Sequence, residues 1–426
     1  MRGLLKKCIY SICALIILII LYSFVLSAVR YIPNELRKEN AEKSIKLLEE
    51  EGAYYYPFGI PGMFFDNQTD CILINSAITN DPNGTIYCAL NNAYTIPEGT
   101  ENSWYREQSL DGAYCALNGS GTISSYSRYW AGMSAILRVW LCFADLGMLR
   151  FFLFLIETVL LLAVLSRIYN RLKIYGVISF LFLLFWRGPL PILGVCLAYS
   201  TDYILMLSNI LLVDKLFSKQ RVSCCLLFVV LGSIQCFINY YSFPLISIAV
   251  PLIYYMTVSV LNNTDEKLYI TSVAKWGGSW ISGYVITLLS KQILARSFMG
   301  SESGIDQMIA RMGGTSSVLE RTKSAFEFWS GRSNGYVVTM RIMLIAYLIV
   351  FCFINFRNIS VKANRVRSFW VCLFIPFVYH FVMIGHSGHG FSSINNGVTA
   401  YVMGNMLILL LASKLDTGRP YGPSDE

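Results

Sequence analysis

The chain has 426 residues, 55% hydrophobic and 14% charged, with a net charge of +8 and a mean hydropathy of +0.52. Soluble domains carry about 25% charged residues, so composition argues against a soluble fold and for an all-α polytopic membrane protein in a lipid bilayer. The basic residues lie between apolar stretches and form no aromatic-interleaved patch, which argues against nucleic-acid binding.

The first apolar run, residues 8–28, follows Arg2, Lys6 and Lys7. Its 21 residues exceed a signal-peptide core, no clear small-residue cleavage site follows, and it reads as an uncleaved first span. Further spans are predicted over 148–168, 174–190, 197–214, 222–240, 243–261, 269–290, 336–356, 368–387 and 394–413, about ten in all. Pro189, Pro191 and Asp202 interrupt the third and fourth, so that pair reads as short, broken or re-entrant.

Basic residues follow the even-numbered spans: Arg167, Arg171 and Lys173; Lys215, Lys219 and Arg221; Arg357, Lys362, Arg365 and Arg367; Lys414 and Arg419. Lys and Arg favour the inner side. The expectation is therefore a multi-pass cell-membrane protein with both termini cytoplasmic.

The chain then divides into a first membrane helix (1–28), an extracytoplasmic segment with an interfacial helix (29–147), helices 2–7 (148–290), a second extracytoplasmic segment (291–335), and helices 8–10 with a cytoplasmic tail (336–426). Residues 30–130 hold 7 Lys/Arg and 13 Asp/Glu, a net of −6, so the outer segment is acidic. Aromatic clusters, turn residues and a charged helix-like start at 34–51 predict a small mixed domain there, since a loop of that length without structure is uncommon. Inside it "YCALNN" (87–92) returns as "YCALNG" (114–119), by coincidence or as a repeated turn or strand element. Cys71, Cys88 and Cys115 would face an oxidising side, and Cys88 with Cys115 is the first choice for a disulfide.

Asp66 and Asp70 share one face if their segment is helical. Such a pair can supply a general base or hold a divalent cation; equally, it can cap a helix N-terminus. No other cofactor signal is evident. Glu157 lies mid-span, where a carboxylate is costly and marks function or a buried packing partner. Arg138, Arg187 and Arg341 lie near the outer ends of apolar segments, placed to bind a lipid-linked phosphate or to reach headgroups. The three histidines, His380, His386 and His389, stand together, yet they lack further ligands for a metal. His386 and His389 fall at the outer mouth of span 9, suited to hydrogen bonding or acid/base work.

One span, a large outer segment with an early acidic motif, then many spans with basic inner loops resembles the GT-C class of polytopic glycosyltransferases. The stretch 125–150 also resembles a Y-x-R-Y-W-H-G-like motif of bacterial membrane proteins associated with surface polysaccharide. Tyr126, Arg128, Tyr129, Trp130 and Gly132 match it, with Ala131 at the histidine position. The 386–397 hairpin resembles a late histidine-bearing motif of the same proteins. The resemblance implies transfer of a sugar from a polyprenyl-phosphate-linked donor at the outer face. Asp70 or Asp66 would be the base, Arg128 and the outer arginines would bind phosphate, and Tyr129 and Trp130 would stack on sugar. The alternatives are a transporter or flippase of lipid-linked oligosaccharide, and a non-catalytic assembly protein.

Overall fold

A computed structural model describes residues 2–52, 54–55, 65–80, 85–99, 106–185, 196–218, 224–239, 244–299, 309, 312, 314–330, 339, 342–343, 346, 366–384 and 391–411. They are mostly helical: α1 (Arg2–Ala28), α2 (Lys38–Glu51), α3 (Asn67–Ile78), α4 (Thr85–Asn91), α5 (Arg106–Asn118), α6 (Gly132–Trp140), α7 (Leu146–Phe185), α8 (Leu197–Ser218), α9 (Cys225–Ile238), α10 (Ile246–Leu261), α11 (Glu266–Met299), α12 (Val318–Ser330), α13 (Phe369–Cys372), α14 (Ile375–Val382) and α15 (Phe391–Leu411).

Among the described residues, two helices are long and apolar enough to cross a membrane, with mean hydropathies of 2.9 over Cys8–Tyr31 and 2.4 over Leu146–Leu184. The second is broken: Lys173 has φ 56° and ψ −160°, outside helical geometry. That break falls between the expected spans 148–168 and 174–190. Apolar helices over Cys225–Ile238, Ile246–Leu261, Phe369–Val382 and Gly397–Leu409 are shorter. The expected span 336–356 lies almost wholly outside the described residues. Ile16, Ile17, Ile20 and Phe24 of α1 and Phe151, Leu155, Val159 and Leu162 of α7 are exposed on the outside of the molecule.

The 29–147 segment is mixed, as its composition predicts. Two small antiparallel pairs join its helices: β1 (Tyr54–Tyr55) with β2 (Phe65–Asp66), and β3 (Tyr94–Ile96) with β4 (Thr122–Ser124). It does not have a core of its own. Ile45 of α2, Leu73 and Ile74 of α3, and Trp130 and Leu137 around α6 are buried in one cluster with Tyr22 and Leu26 of α1 and Cys236 of α9. A second cluster fills the bundle, where Phe180, Tyr203, Ile210, Tyr254, Trp276 and Tyr401 meet. α9 and α11 cross backbone to backbone: a Cβ on Gly232 would fall 2.0 Å from the Trp280 carbonyl oxygen, and one on Gly283 2.0 Å from that of Val229. Small residues at such crossings are how helices pack where solvent gives no hydrophobic drive.

The sequence echo has a structural meaning. Each copy ends a helix with a left-handed residue, Asn92 at φ 50° and Gly119 at φ 69°. Ala93 N–H bonds the Cys88 carbonyl at 3.2 Å and Ser120 N–H bonds the Cys115 carbonyl at 2.9 Å, the same six-residue closure of a helix C-terminus. β3 and β4 follow these two caps and pair with each other. Cys88 and Cys115 are thus equivalent positions of a repeat, and both are free thiols rather than the expected disulfide. Cys71 is also free; its thiol donates to the Ser109 carbonyl at 3.2 Å.

Candidate functional site where the 29–147 segment meets the bundle

α3 carries acids at its N-terminal end. Asp66 is the N-cap: its carboxylate accepts from the Thr69 amide at 3.1 Å and the Thr69 hydroxyl at 2.8 Å. This satisfies an amide that the helix leaves without a partner. Asp70, one turn on, is wholly buried. Its carboxylate meets the Arg150 guanidinium at 3.2 Å and accepts from the Leu197 amide, the first of α8, at 3.1 Å. Arg150 also binds Glu51 at 2.7 Å and the Asn67 side-chain oxygen at 2.9 Å. Asn67 in turn donates to Glu51 at 2.9 Å. One guanidinium therefore serves two carboxylates, and the network ties α2, α3, α7 and α8 together. Burial pushes the Asp70 carboxyl up to about 6, against the opposing pull of Arg150. A carboxylic acid in that range can gain and lose a proton near neutral pH.

The other end of α3 is wrapped by arginines. Arg30 donates to the carbonyls of Ser76 at 3.0 Å and Thr79 at 2.8 Å. Arg37 donates to that of Ala77. Arg138 donates to Ala77 at 2.7 Å, Thr79 at 3.2 Å and Val29 at 2.9 Å. The carbonyl end of a helix attracts cations, and that attraction explains the placement. Burial together with repulsion from Arg30 pulls the pKa of both Arg37 and Arg138 down. Arg138, placed by its sequence position to bind a lipid-linked phosphate or to reach headgroups, spends donors on backbone carbonyls and the Asn80 side chain.

Between these ends lies the R-Y-W stretch. The Arg128 guanidinium sits 4.4 Å from the Tyr126 ring centroid and 4.9 Å from that of Tyr129, and bonds the Tyr126 hydroxyl at 2.8 Å. Trp130 is buried, with its indole N–H on the Thr287 carbonyl at 2.8 Å. The Gln292 amide holds the Arg128 carbonyl at 2.9 Å. Ala131, at the histidine position of the motif, is buried with φ 54°. Gly132 lies against Phe237, whose ring atom would stand 2.6 Å from an added Cβ. All three of Arg128, Tyr129 and Trp130 are closed off from solvent.

A polar group inside the bundle adjoins this stretch. Asp202 of α8 accepts from the side-chain amides of Gln235 on α9 and Asn239 at its C-cap, and Thr201 donates to Asn239. Tyr379 of α14 lies within electrostatic reach of both Asp202 and Tyr129. His380 beside it is buried. Glu157 is buried in α7. Arg171 pairs with Asp214 at 3.0 Å, and the Tyr254 hydroxyl donates to the same carboxylate at 2.8 Å.

Asp66 and Asp70 are thus one turn apart on α3, and Arg128, Tyr129 and Trp130 form a separate network. Arg187, Arg341, His386 and His389 lie outside the described residues. Sequence reasoning missed Arg150 and Glu51, the partners that give Asp70 its character. The available signal was a lone arginine at the head of an apolar helix. No family model, no curated protein and no solved structure matches this chain.

Proposed function

We propose that the chain is a ten-span membrane protein with cytoplasmic termini, and that it is a GT-C-type glycosyltransferase acting at the outer face. Two apolar helices of spanning length, the break at Lys173 and the exposed aliphatic faces of α1 and α7 support the membrane part. The observation that carries the enzymatic part is Asp70. It is a buried carboxylate at the seam of segment and bundle, and it shares a single guanidinium with Glu51.

In this reading Asp70 takes the proton of the acceptor hydroxyl. The acceptor oxygen bonds the anomeric carbon, and the bond to the polyprenyl phosphate breaks with its electron pair leaving on the phosphate. Arg128, held between two tyrosine rings in a network separate from Asp70, meets the charge that develops there once the seam opens. Substrate entry has to open the seam, since Asp70 is wholly buried in the closed form. No metal is required by this scheme.

The test is sugar transfer by membranes supplied with a radiolabelled polyprenyl-phosphate-linked hexose. Asp70→Asn keeps the shape and the acceptor for the Leu197 amide, so the protein level holds while transfer falls by about 10²-fold or more. Undiminished transfer would remove Asp70 as the base.

A second reading, transport of lipid-linked oligosaccharide, draws on Asp202 and Glu157, carboxylates buried within the helical bundle. It predicts that Asp202→Asn stops translocation of a fluorescent lipid-linked sugar in vesicles while Asp70→Asn leaves it intact.

A further inference from the structure

Four cations gather where α1, α4, α6 and α11 meet. Arg30, Arg37, Arg138 and Lys291 are exposed by 9%, 1%, 1% and 0%. Arg30 repels each of the other three. Among the described residues none of the four forms an ion pair with a carboxylate, and Glu35, which acts on Arg37, is exposed. Their partners are neutral oxygens, among them the carbonyl ends of α3 and α4, including Leu90, whose oxygen Lys291 binds, the carbonyls of Val29 and Ile32, and the side chains of Asn34 and Asn80. Each helix terminus offers about half a negative charge. Two termini offset about one charge, and burial, followed by repulsion from Arg30, lowers the pKa of the Lys291 ammonium to about 7, which leaves a buried excess of about two to three.

Donors remain where this excess lies. Arg30 uses Nη1 for both of its carbonyl bonds. The Ser76 hydroxyl donates to the Asn92 side-chain oxygen at 2.9 Å, which fixes the amide and turns its Nδ2 away. That Nδ2 is buried and has no partner among the described residues. Asn92 also holds a left-handed backbone at φ 50°. Ser76 links Arg30 to Asn92, and the Leu90 carbonyl places Lys291 two residues away. Lys291 further lies 5.4 Å from the Trp130 ring centroid.

We propose that the Leu90–Asn92 turn is a binding site for a phosphate-bearing anion, held by Arg30, Asn92 and Lys291. A phosphate offers up to two negative charges and a tetrahedral set of acceptors to a guanidinium, an amide and an ammonium. A single carboxylate would offset less of the excess. The source is either a lipid headgroup or free phosphate. The site is distinct from Asp70 and does not rest on the transferase reading.

Full-length protein in detergent is melted with inorganic phosphate, with phosphatidylglycerol micelles, and with chloride at matched ionic strength. Phosphate or phosphatidylglycerol raises the melting temperature of the wild type by about 2–4 °C; chloride does not. A response to phosphatidylglycerol alone identifies the headgroup as the source, and a response to phosphate alone identifies the free anion. Lys291→Met loses the response. Asn92→Asp, which tolerates the left-handed backbone and brings its own charge, melts higher without ligand and also stops responding. A wild type that responds to neither source overturns the site, as does Lys291→Met responding like the wild type.

Discussion

The two ends of α3 face opposite problems. At the N-terminal end acids meet exposed amides, and Arg150 joins Asp70 and Glu51 in a compensated network. At the C-terminal end three arginines meet carbonyls, with backbone and Asn oxygens as their partners. Both ends obey the helix dipole. They differ in balance: the first holds one cation among three acids, Asp66, Asp70 and Glu51, and the second holds cations for which half-charges are the main offset. Opposite ends of a single short helix thus hold a buried carboxyl and a buried cluster of cations.

That contrast sets the order of mutational costs. Arg150→Met leaves the buried Asp70 carboxylate and the half-buried Glu51 carboxylate without their shared cation and should cost about 3–5 kcal/mol in unfolding free energy. Adding Asp70→Asn to it should return part of that loss, since one of the stranded charges goes. Arg138→Leu removes a donor from three carbonyls, two of which keep Arg37 or Arg30, and also relieves repulsion from Arg30 and Arg37. Its cost should be smaller, about 2–3 kcal/mol, although Arg138 makes more hydrogen bonds than Arg150. Denaturation of purified protein in mixed micelles ranks the two, and the reverse order would break the comparison. Asp66→Ala removes the N-cap and a negative charge that helps hold the Asp70 pKa up, and should cost about 1 kcal/mol with little change in sugar transfer above about pH 7.

Much of this was legible along the chain. The apolar runs at 8–28, 222–240 and 243–261 coincide with α1, α9 and α10 because each helix draws on a contiguous sequence. Asp66 as a cap and Asp70 one turn on also follow from local spacing. The repeat of "YCALN" was visible as letters; its sense, a helix cap with Asn92 or Gly119 left-handed, needed backbone geometry. What was hidden is long-range. Arg150 reaches Asp70 across 80 residues and Glu51 across 99. Arg138 reads as an outer arginine facing headgroups because its carbonyl partners lie 58 or more residues away, on α3 and at the end of α1. Periodicity cannot report contacts of that range.

The most direct test of the central claim is the pH dependence of sugar transfer. A base has to be deprotonated to act, and Asp70 holds its proton up to about pH 6, well above an ordinary aspartate. The kcat/KM for transfer by wild-type membranes, which reports the free enzyme with Asp70 buried, should therefore rise through about pH 6 with a single ionisation and level off above it. A kcat/KM that stays flat between about pH 5 and 7, with transfer present throughout, would contradict Asp70 as the base.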